Sequence, residues 1–433
     1  MTQVDTFAIH ANQILTMPEE AESLQSFDPE GDLERRDRAI TGLIEDGGVF
    51  VEDGKIAWVG PWSERPDEAR SDDVAEVEVG VVTPGWIDCH THAVFAGERS
   101  DEFVKRNAGR SYVEILEEGG GILNTVEAVR QASVEELAAG LFDRVFESVR
   151  VGVTTLEIKS GYGLTTDDEL KLLRAIRRVE QEDVPCELVP CFLGAHAVPQ
   201  NYRDRREEYV DLVCNEMIPK VAEENLAEYC DVFCDRGAFT VSEAERILLT
   251  GRNYGLVPRL HADELSDAGA SMLAAQLDAA SADHLEYATD EALNAMAKAD
   301  VTAVLMPAVN MFLGTLDHLA PARRALKAGC EIALATDFNP GSAMTQDLGL
   351  MTNFGCTLYK LTPGEALRAV TIGAAKALER EDIGRIRPGL EANLTLLKAP
   401  HLSYVPYHFG KSHVAGVIQN GTIAYWSDVQ EMT

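Results

Sequence analysis

The sequence has few basic residues, no long apolar run and no basic segment at its start. Of its 433 residues, 38 are Lys or Arg and 72 are Asp or Glu, for a formal net charge of −34. Because so acidic a surface repels nucleic acids and anionic membranes, we exclude both as partners. No run of 18 or more apolar residues is present. We therefore expect neither a membrane span nor a signal peptide.

The eight cysteines form no C-x-x-C pair. Most lie in apolar segments such as 186–191, which is typical of buried free thiols in a reducing compartment. Disulfides or a sulfur-ligated metal are the less favoured alternatives. The sequence therefore predicts a cytoplasmic protein.

The acidic residues are spread along the whole chain rather than gathered in a tail. Two interpretations are open: a protein from a halophilic organism, where salt screens self-repulsion, or a moderately acidic mesophilic protein. The scarcity of Lys beside abundant Asp and Glu favours the halophilic source.

The length predicts one large domain and a smaller one. Residues 1–83 and 386–433 contain short strands with hairpin signals at Asp53-Gly54 and Asn420-Gly421, and 18–38 look like an exposed loop. We predict that the two ends of the chain fold together as a small β-sandwich domain, and that residues 84–385 form the large one.

Residues 84–385 alternate short apolar strands with amphipathic helices. Capping boxes predict helix starts at Ser133, Thr166, Ser242 and Thr362. The pattern predicts an α/β fold, a (β/α)8 TIM-like barrel, with a doubly wound sheet as the alternative. The eight strand candidates are Val81–Asp88, Val153–Ile158, Glu187–Leu193, Tyr229–Phe233, Val257–Leu260, Ala282–Leu285, Ala303–Met306 and Ile332–Ala335.

Histidines and one aspartate stand at the ends of these strands. His90 and His92 end the first, and alternate side chains of a strand point the same way. The active sites of such barrels lie at the carboxyl ends of the strands. The other polar residues at strand ends are His196, His261, His284 and Asp337.

Neutral imidazoles and a carboxylate are ligands that suit zinc and iron. We predict that His90, His92, His261 and Asp337 hold one metal ion, Zn²⁺ or Fe²⁺/Fe³⁺, which activates water at neutral pH. Lys159 is the lysine that could bridge a second ion if carboxylated. We interpret it as structural, which favours one ion.

Several segments, in order, resemble the imidazolonepropionase family of the amidohydrolase superfamily. The opening Pro84-Gly85-Trp86-Ile87-Asp88-x-His90-x-His92 is followed by residues 95–99, 157–164, 194–199, 261–264 and 335–342. The resemblance spans nearly the whole chain. It implies hydrolysis of 4-imidazolone-5-propanoate, the small-molecule substrate, to N-formimidoyl-L-glutamate in histidine degradation, and a homodimer.

The resemblance also implies roles for individual residues. Asp337 takes a proton from water, His284 helps to stabilise the oxyanion, and Glu264 moves a proton to the leaving nitrogen or orients the water. The substrate carboxylate fits Arg99, whose guanidinium can form a fork. The predicted substrate-binding residues are Arg99, Tyr162, His196, Glu264, Asn339, Gly341 and Ser342.

Two alternative functions and one question about a loop stay open. The chain could be another amidohydrolase, such as a purine or pyrimidine aminohydrolase, or a binding protein on a barrel that has lost catalysis. The glycines Gly119 to Gly121 suit a mobile flap over the site or a plain connector.

The halophilic interpretation predicts that stability rises with salt. Raising KCl from about 0.1 M to about 1 M shortens the Debye length from about 10 Å to about 3 Å and screens the self-repulsion of the acidic surface. We expect the melting temperature to rise by several degrees, measured by thermal unfolding. A melting temperature that does not rise with salt contradicts this interpretation.

Overall fold

The computed structural model describes residues 6–19, 28, 30–110 and 120–427. Within these ranges, none of the helices is long and apolar enough to cross a membrane. The strands are β1 (Thr6–Leu15), β2 (Leu43–Glu52), β3 (Lys55–Pro61), β4 (Ala75–Pro84), β5 (Trp86–Asp88), β6 (Val153–Lys159), β7 (Glu187–Ala195), β8 (Tyr229–Cys234), β9 (Val257–Ala262), β10 (Ser281–His284), β11 (Thr302–Leu305), β12 (Ile332–Leu334), β13 (Leu394–Leu397), β14 (Val414–Gln419) and β15 (Thr422–Trp426).

The α-helices cover the barrel and join the strands. A π-helical turn, Val213–Met217, separates two of them. The helices are α1 (Leu33–Thr41), α2 (Ser100–Asn107), α3 (Ile122–Gln131), α4 (Val134–Arg150), α5 (Thr166–Glu180), α6 (Arg206–Leu212), α7 (Ile218–Glu223), α8 (Val241–Asn253), α9 (Ala270–Gln276), α10 (Asp290–Lys298), α11 (Pro307–Leu313), α12 (Ala322–Ala328), α13 (Leu348–Thr357), α14 (Pro363–Ala369), α15 (Ile372–Ala377) and α16 (Tyr404–Tyr407).

Strands β5 to β12 form one eight-stranded sheet in chain order, and every neighbouring pair is parallel. The segments after β5 and β12 are joined by hydrogen bonds from His92 N to Phe338 O, 3.0 Å, and from Asp337 N to His90 O, 3.1 Å. These bonds bring the first and last strands together at their carboxyl ends. The predicted (β/α)8 barrel is confirmed.

Both chain ends contribute to a second, mixed sheet with the order β15-β14-β13-β4-β1-β2-β3. Adjacent residues of its strands alternate between two cores, as the period of two requires. Val82 and Leu396 pack in a small core of the sheet, whereas Val81 and Leu397 pack against the barrel. The predicted small domain built from both ends is confirmed, and the boundaries at 83/84 and 385/386 stay predictions.

The first predicted strand, 81–88, is wrong as a single element. It splits at Gly85 into β4 of the mixed sheet and β5 of the barrel. A Cβ atom at Gly85 would lie 2.1 Å from Thr154 Oγ1, so only glycine fits where the chain passes from one sheet to the other. Both predicted hairpins are confirmed, and their turns at Asp53-Gly54 and Asn420-Gly421 have positive φ.

Three local predictions need correction. The expected loop 18–38 contains the start of α1, whose buried Asp37 accepts a hydrogen bond from Gly364 N, 3.0 Å; residues 20–27 and 29 lie outside the described ranges. The cap of α5 is Thr165 rather than Thr166, and the capping box of α8 is Thr240 with Glu243 rather than Ser242 with Glu245. The boxes at Ser133 and Thr362 are confirmed.

The cysteines pack as apolar side chains. All but one are buried, and Cys356 is partly buried. Burial raises the pKa of Cys234 to about 12 and that of Cys330 to about 11, so these thiols stay protonated.

Candidate metal centre

Four predicted ligands meet at the carboxyl ends of the barrel strands. His90 and His92 follow β5, His261 lies at the end of β9, and Asp337 follows β12. Asp337 Oδ1 lies 3.4 Å from His90 Nε2 and 3.3 Å from His92 Nε2, and His261 Nε2 lies 3.4 Å from His92 Nε2. All four side chains are buried.

The donor atoms fit a metal ion. His90 Nε2 and Asp337 Oδ1 are buried and have no hydrogen-bond partner among the described residues. Burial, reinforced by nearby positive groups, lowers the pKa of His90 and His92 well below the ordinary value. Both imidazoles are therefore neutral, the form that ligates metal, and three imidazoles with one carboxylate suit zinc or iron.

Two buried aspartates orient two of the histidines, His90 and His261, through their Nδ1 atoms. His90 Nδ1 lies 2.6 Å from Asp283 Oδ2, and His261 Nδ1 lies 3.1 Å from Asp231 Oδ1. An Nδ1–H group that donates to a carboxylate leaves the Nε2 lone pair for a metal.

Lys159 and Arg259 hold these aspartates in place. Lys159 Nζ lies 2.7 Å from Glu157 Oε1 and 2.8 Å from Asp231 Oδ2, and Arg259 donates to Asp283 Oδ2 at 3.2 Å. The side chains of this group are fully buried. Burial alone would lower the pKa of Lys159, but the charges of Asp231 and Glu157 raise it overall, so the amine is a cation. This ion pairing agrees with a structural role for Lys159.

The charges buried beneath the site leave a net negative charge that a divalent cation would neutralise. We count three carboxylates beneath the site (Glu157, Asp231 and Asp283) and two cations (Lys159 and Arg259). With Asp337 ionised, the fixed charge is −2. An ion of charge +2 would neutralise it, and buried charge is costly unless it is compensated.

The loop after β12 is built around Asp337. Asn339 Nδ2 donates to Asp337 Oδ2 at 2.9 Å, and Ser342 Oγ lies 3.3 Å from the same oxygen. Asn339 Oδ1 accepts from Gly341 N at 2.7 Å and from Ser342 N at 2.9 Å. In this structure, therefore, two predicted substrate-binding side chains, those of Asn339 and Ser342, orient Asp337 Oδ1 toward the histidines.

The predicted acid and oxyanion residues face each other beside the ligands. His284 Nε2 lies 3.5 Å from Glu264 Oε2. Burial, reinforced by the charges of Glu286 and Asp337, raises the pKa of Glu264, whereas burial lowers the pKa of His284 to about 3. The backbone of His284 is left-handed, with φ 79°, a strained conformation that often marks functional residues.

The remaining predicted residues line the same end of the barrel. The His196 ring stacks on His92 with centroids 5.1 Å apart, and Tyr162 lies 5.4 Å from His196 by centroids. Arg99 lies next to Gly341, as shown by the distance of 2.4 Å that a Cβ atom on that glycine would have to Arg99 Nη1. Of the glycines 119 to 121, for which a flap and a plain connector were both open, Gly119 lies outside the described ranges, while Gly121 is the N-cap residue immediately before α3.

Of the charged residues beneath the ligands, only Lys159 was recognised from the sequence; the others are Glu157, Asp231, Arg259 and Asp283. Their signal was a charge inside an otherwise apolar strand, as at Glu157 and Asp231, since buried charges need partners. Two of them also lie close in sequence to predicted site residues. Arg259 lies two positions before His261, and Asp283 lies immediately before His284.

Comparison with known proteins identifies the family. A model described as "Amidohydrolase family" matches residues 99–425. An imidazolonepropionase of Myxococcus xanthus is 48% identical over 90% of this chain and 93% of its own length. One of Bacillus cereus is 40% identical over 98% of this chain and 97% of its own. The chain belongs to the amidohydrolase family.

Solved structures show the same fold for this amidohydrolase at low identity. A triazine hydrolase variant has a TM-score of 0.70 at 16% identity and covers 96% of this chain and 94% of its own. A guanine deaminase of C. acetobutylicum with bound guanine also has a TM-score of 0.70, at 14% identity, and covers 97% of this chain and 100% of its own.

Removal of a ligand should abolish metal binding. We expect His261→Ala and Asp337→Ala to lose most of the bound metal after gel filtration, measured by elemental analysis. Loss of a residue that hydrogen-bonds to a metal ligand weakens metal binding about 10- to 100-fold. Loss of the ligand itself should weaken metal binding more. The exposed His401 provides the control, because His401→Ala should keep its metal. Full metal content in Asp337→Ala would remove Asp337 from the ligand set.

Loss of Lys159 should destabilise the fold. Lys159→Met leaves Asp231 and Glu157 as buried charges without their partner. We therefore expect the free energy of unfolding to fall by about 3–5 kcal/mol. The measurement is denaturant unfolding. In the control Lys220→Met, which breaks an exposed pair with Glu216, the loss should stay below about 1 kcal/mol. Equal losses in the two variants would contradict the structural role of Lys159.

Proposed function

We propose that this amidohydrolase is an imidazolonepropionase, which hydrolyses the ring amide C–N bond of 4-imidazolone-5-propanoate to N-formimidoyl-L-glutamate. The observation that carries the proposal is the identity of 40–48% over about nine tenths or more of the chain with proteins of that name. Arg99 beside the ligand loop supports it, because the substrate carries a propionate.

One metal ion for each chain, zinc or iron, is part of this proposal. His90, His92, His261 and Asp337 would hold it. When bound, the ion supplies Lewis-acid activation of water and of the ring carbonyl. The chain's own contribution is to fix the four ligands over a buried group of compensating charges.

Substrate binding falls to residues around the barrel mouth. The guanidinium of Arg99 offers a planar set of donors to the propionate carboxylate. His196 and Tyr162 form an aromatic wall beside His92 that suits a flat five-membered ring. The Gly341 backbone, which approaches Arg99, completes this side of the site.

Proton movements divide among three side chains. Asp337, whose Oδ2 accepts hydrogen bonds from Asn339 and Ser342, takes the proton of the attacking water. Glu264, whose pKa is raised by burial, donates a proton to the departing ring nitrogen. Neutral His284, in contact with Glu264, orients that carboxyl and supports the developing oxyanion.

An aminohydrolase for purines or pyrimidines is the second candidate, since the solved structures with this fold include a guanine deaminase. Their low identity makes the likeness one of fold alone. Arg99, which suits a carboxylate, favours the first candidate, and a binding protein on an inactive barrel has no need of all four ligands. Homodimerisation, cytoplasmic location and a halophilic source stay predictions.

The deciding experiment is an assay of turnover with metal analysis. We expect the metal-loaded chain to consume 4-imidazolone-5-propanoate and release N-formimidoyl-L-glutamate, and to leave guanine and cytosine unchanged. Turnover of a nucleobase without turnover of the imidazolone would favour the aminohydrolase. Absence of all turnover in a metal-loaded chain would favour a binding protein.

Replacement of Glu264 should separate catalysis from metal binding. Glu264→Gln keeps the shape of the side chain but removes the acidic proton, so we expect the metal content to stay and kcat to fall about 10²- to 10⁴-fold. The control is Glu245→Gln, on the outer helix α8. A normal kcat in Glu264→Gln would remove Glu264 from the chemistry.

A further inference from the structure

Arg99 is held by a neighbouring carboxylate. Glu102 Oε2 accepts from Arg99 Nε at 2.9 Å and lies 2.8 Å from Arg99 Nη2. Both side chains are nearly buried, with 9% of Arg99 and 8% of Glu102 exposed. Among the described residues, Glu102 is the carboxylate that pairs with this arginine.

The other oxygen of Glu102 reaches a different element. Oε1 accepts from Gly121 N at 3.0 Å and from Asn124 Nδ2 at 3.4 Å, at the start of α3. One carboxylate therefore ties Arg99, at the start of α2, to the first turn of α3. Glu102 is fixed on two sides, and so it can fix Arg99.

This pairing decides which edge of the guanidinium is available. Glu102 occupies the edge formed by Nε and Nη2. The Nη1 end lies against Gly341, in the loop that carries Asp337 and Asn339. A substrate carboxylate that approaches from the metal side therefore meets the Nη1 end first.

We propose that Glu102 is a positioning residue for substrate recognition, which holds Arg99 so that its Nη1 and Nη2 groups bind the substrate carboxylate end-on. The inference rests on the proposed function, since that function supplies a substrate with a carboxylate. A guanidinium held in advance loses less conformational entropy on binding. Without Glu102, Arg99 gains freedom to turn and to pair with other acidic groups.

The test is the steady-state kinetics of Glu102→Gln. We expect KM for 4-imidazolone-5-propanoate to rise about 10-fold or more while kcat changes less than about 3-fold, because binding rather than chemistry is affected. If this variant does not fold, Glu102→Asp replaces it, since the shorter carboxylate cannot reach both Arg99 and Gly121. An unchanged KM, or a fall in kcat alone, would overturn the proposal.

Two controls separate positioning from a merely structural role. Glu98→Gln removes an exposed carboxylate that accepts from Ser100 N and leaves Glu102 and Arg99 in place, so it should keep the KM. In an Arg99→Met background, Glu102→Gln should cause no further rise in KM, because Glu102 acts through Arg99. Equal effects with and without Arg99 would contradict this mechanism.

A second readout keeps this inference apart from the proposed function. If the metal-loaded chain does not turn over the imidazolone, the proposed function fails, and calorimetry with glutarate then tests Glu102 by itself. We expect the unaltered chain to bind glutarate and Glu102→Gln to bind it about 10-fold more weakly. Equal affinity, or no binding by the unaltered chain, would overturn the positioning role.

Discussion

The ion pairs beneath the strand ends are the constraint on which the site depends. Lys159 and Arg259 lie fully buried among Glu157, Asp231 and Asp283, and the aspartates in turn orient His90 and His261. Burying a charge is costly unless it is paired. With Asp337 ionised, the net charge of this group is −2. The geometry of the ligands and the compensation of charge therefore point to the same divalent ion.

The loops that carry the reactive residues are held by hydrogen bonds to buried carboxylates that do not contact the predicted metal-binding nitrogens. Asp88 accepts hydrogen bonds from Thr336 N, 3.1 Å, and Thr336 Oγ1, 2.6 Å, immediately before Asp337. Asp235 accepts from Leu265 N, 2.7 Å, immediately after Glu264. Buried carboxylates that accept backbone N–H bonds give these loops the rigidity that catalysis requires. Glu102 likewise accepts a backbone N–H bond, from Gly121, while its other oxygen accepts from the guanidinium of Arg99.

The barrel and the meeting of His90, His92, His261 and Asp337 at its mouth were predictable because each depends on local patterns. Strand and helix periods reveal eight units, and the barrel architecture places every strand end at one mouth. The split at Gly85 was not predictable, since the apolar run continues from β4 into β5 although the two strands belong to different sheets. The helix caps at Thr165 and Thr240 were missed because each has a second hydroxyl or carboxylate residue at a competing position. Pairings such as Lys159 with Asp231 join residues far apart in the chain, so only the fold reveals them.

The central claim is that His90, His92, His261 and Asp337 hold one divalent ion above the buried charges. Anomalous diffraction at the absorption edge of the bound metal tests it most directly. The account predicts a single peak for each chain, about 2.0–2.2 Å from three imidazole nitrogens and a carboxylate oxygen of these residues. Two peaks bridged by Lys159, or a peak elsewhere in the barrel, would contradict it.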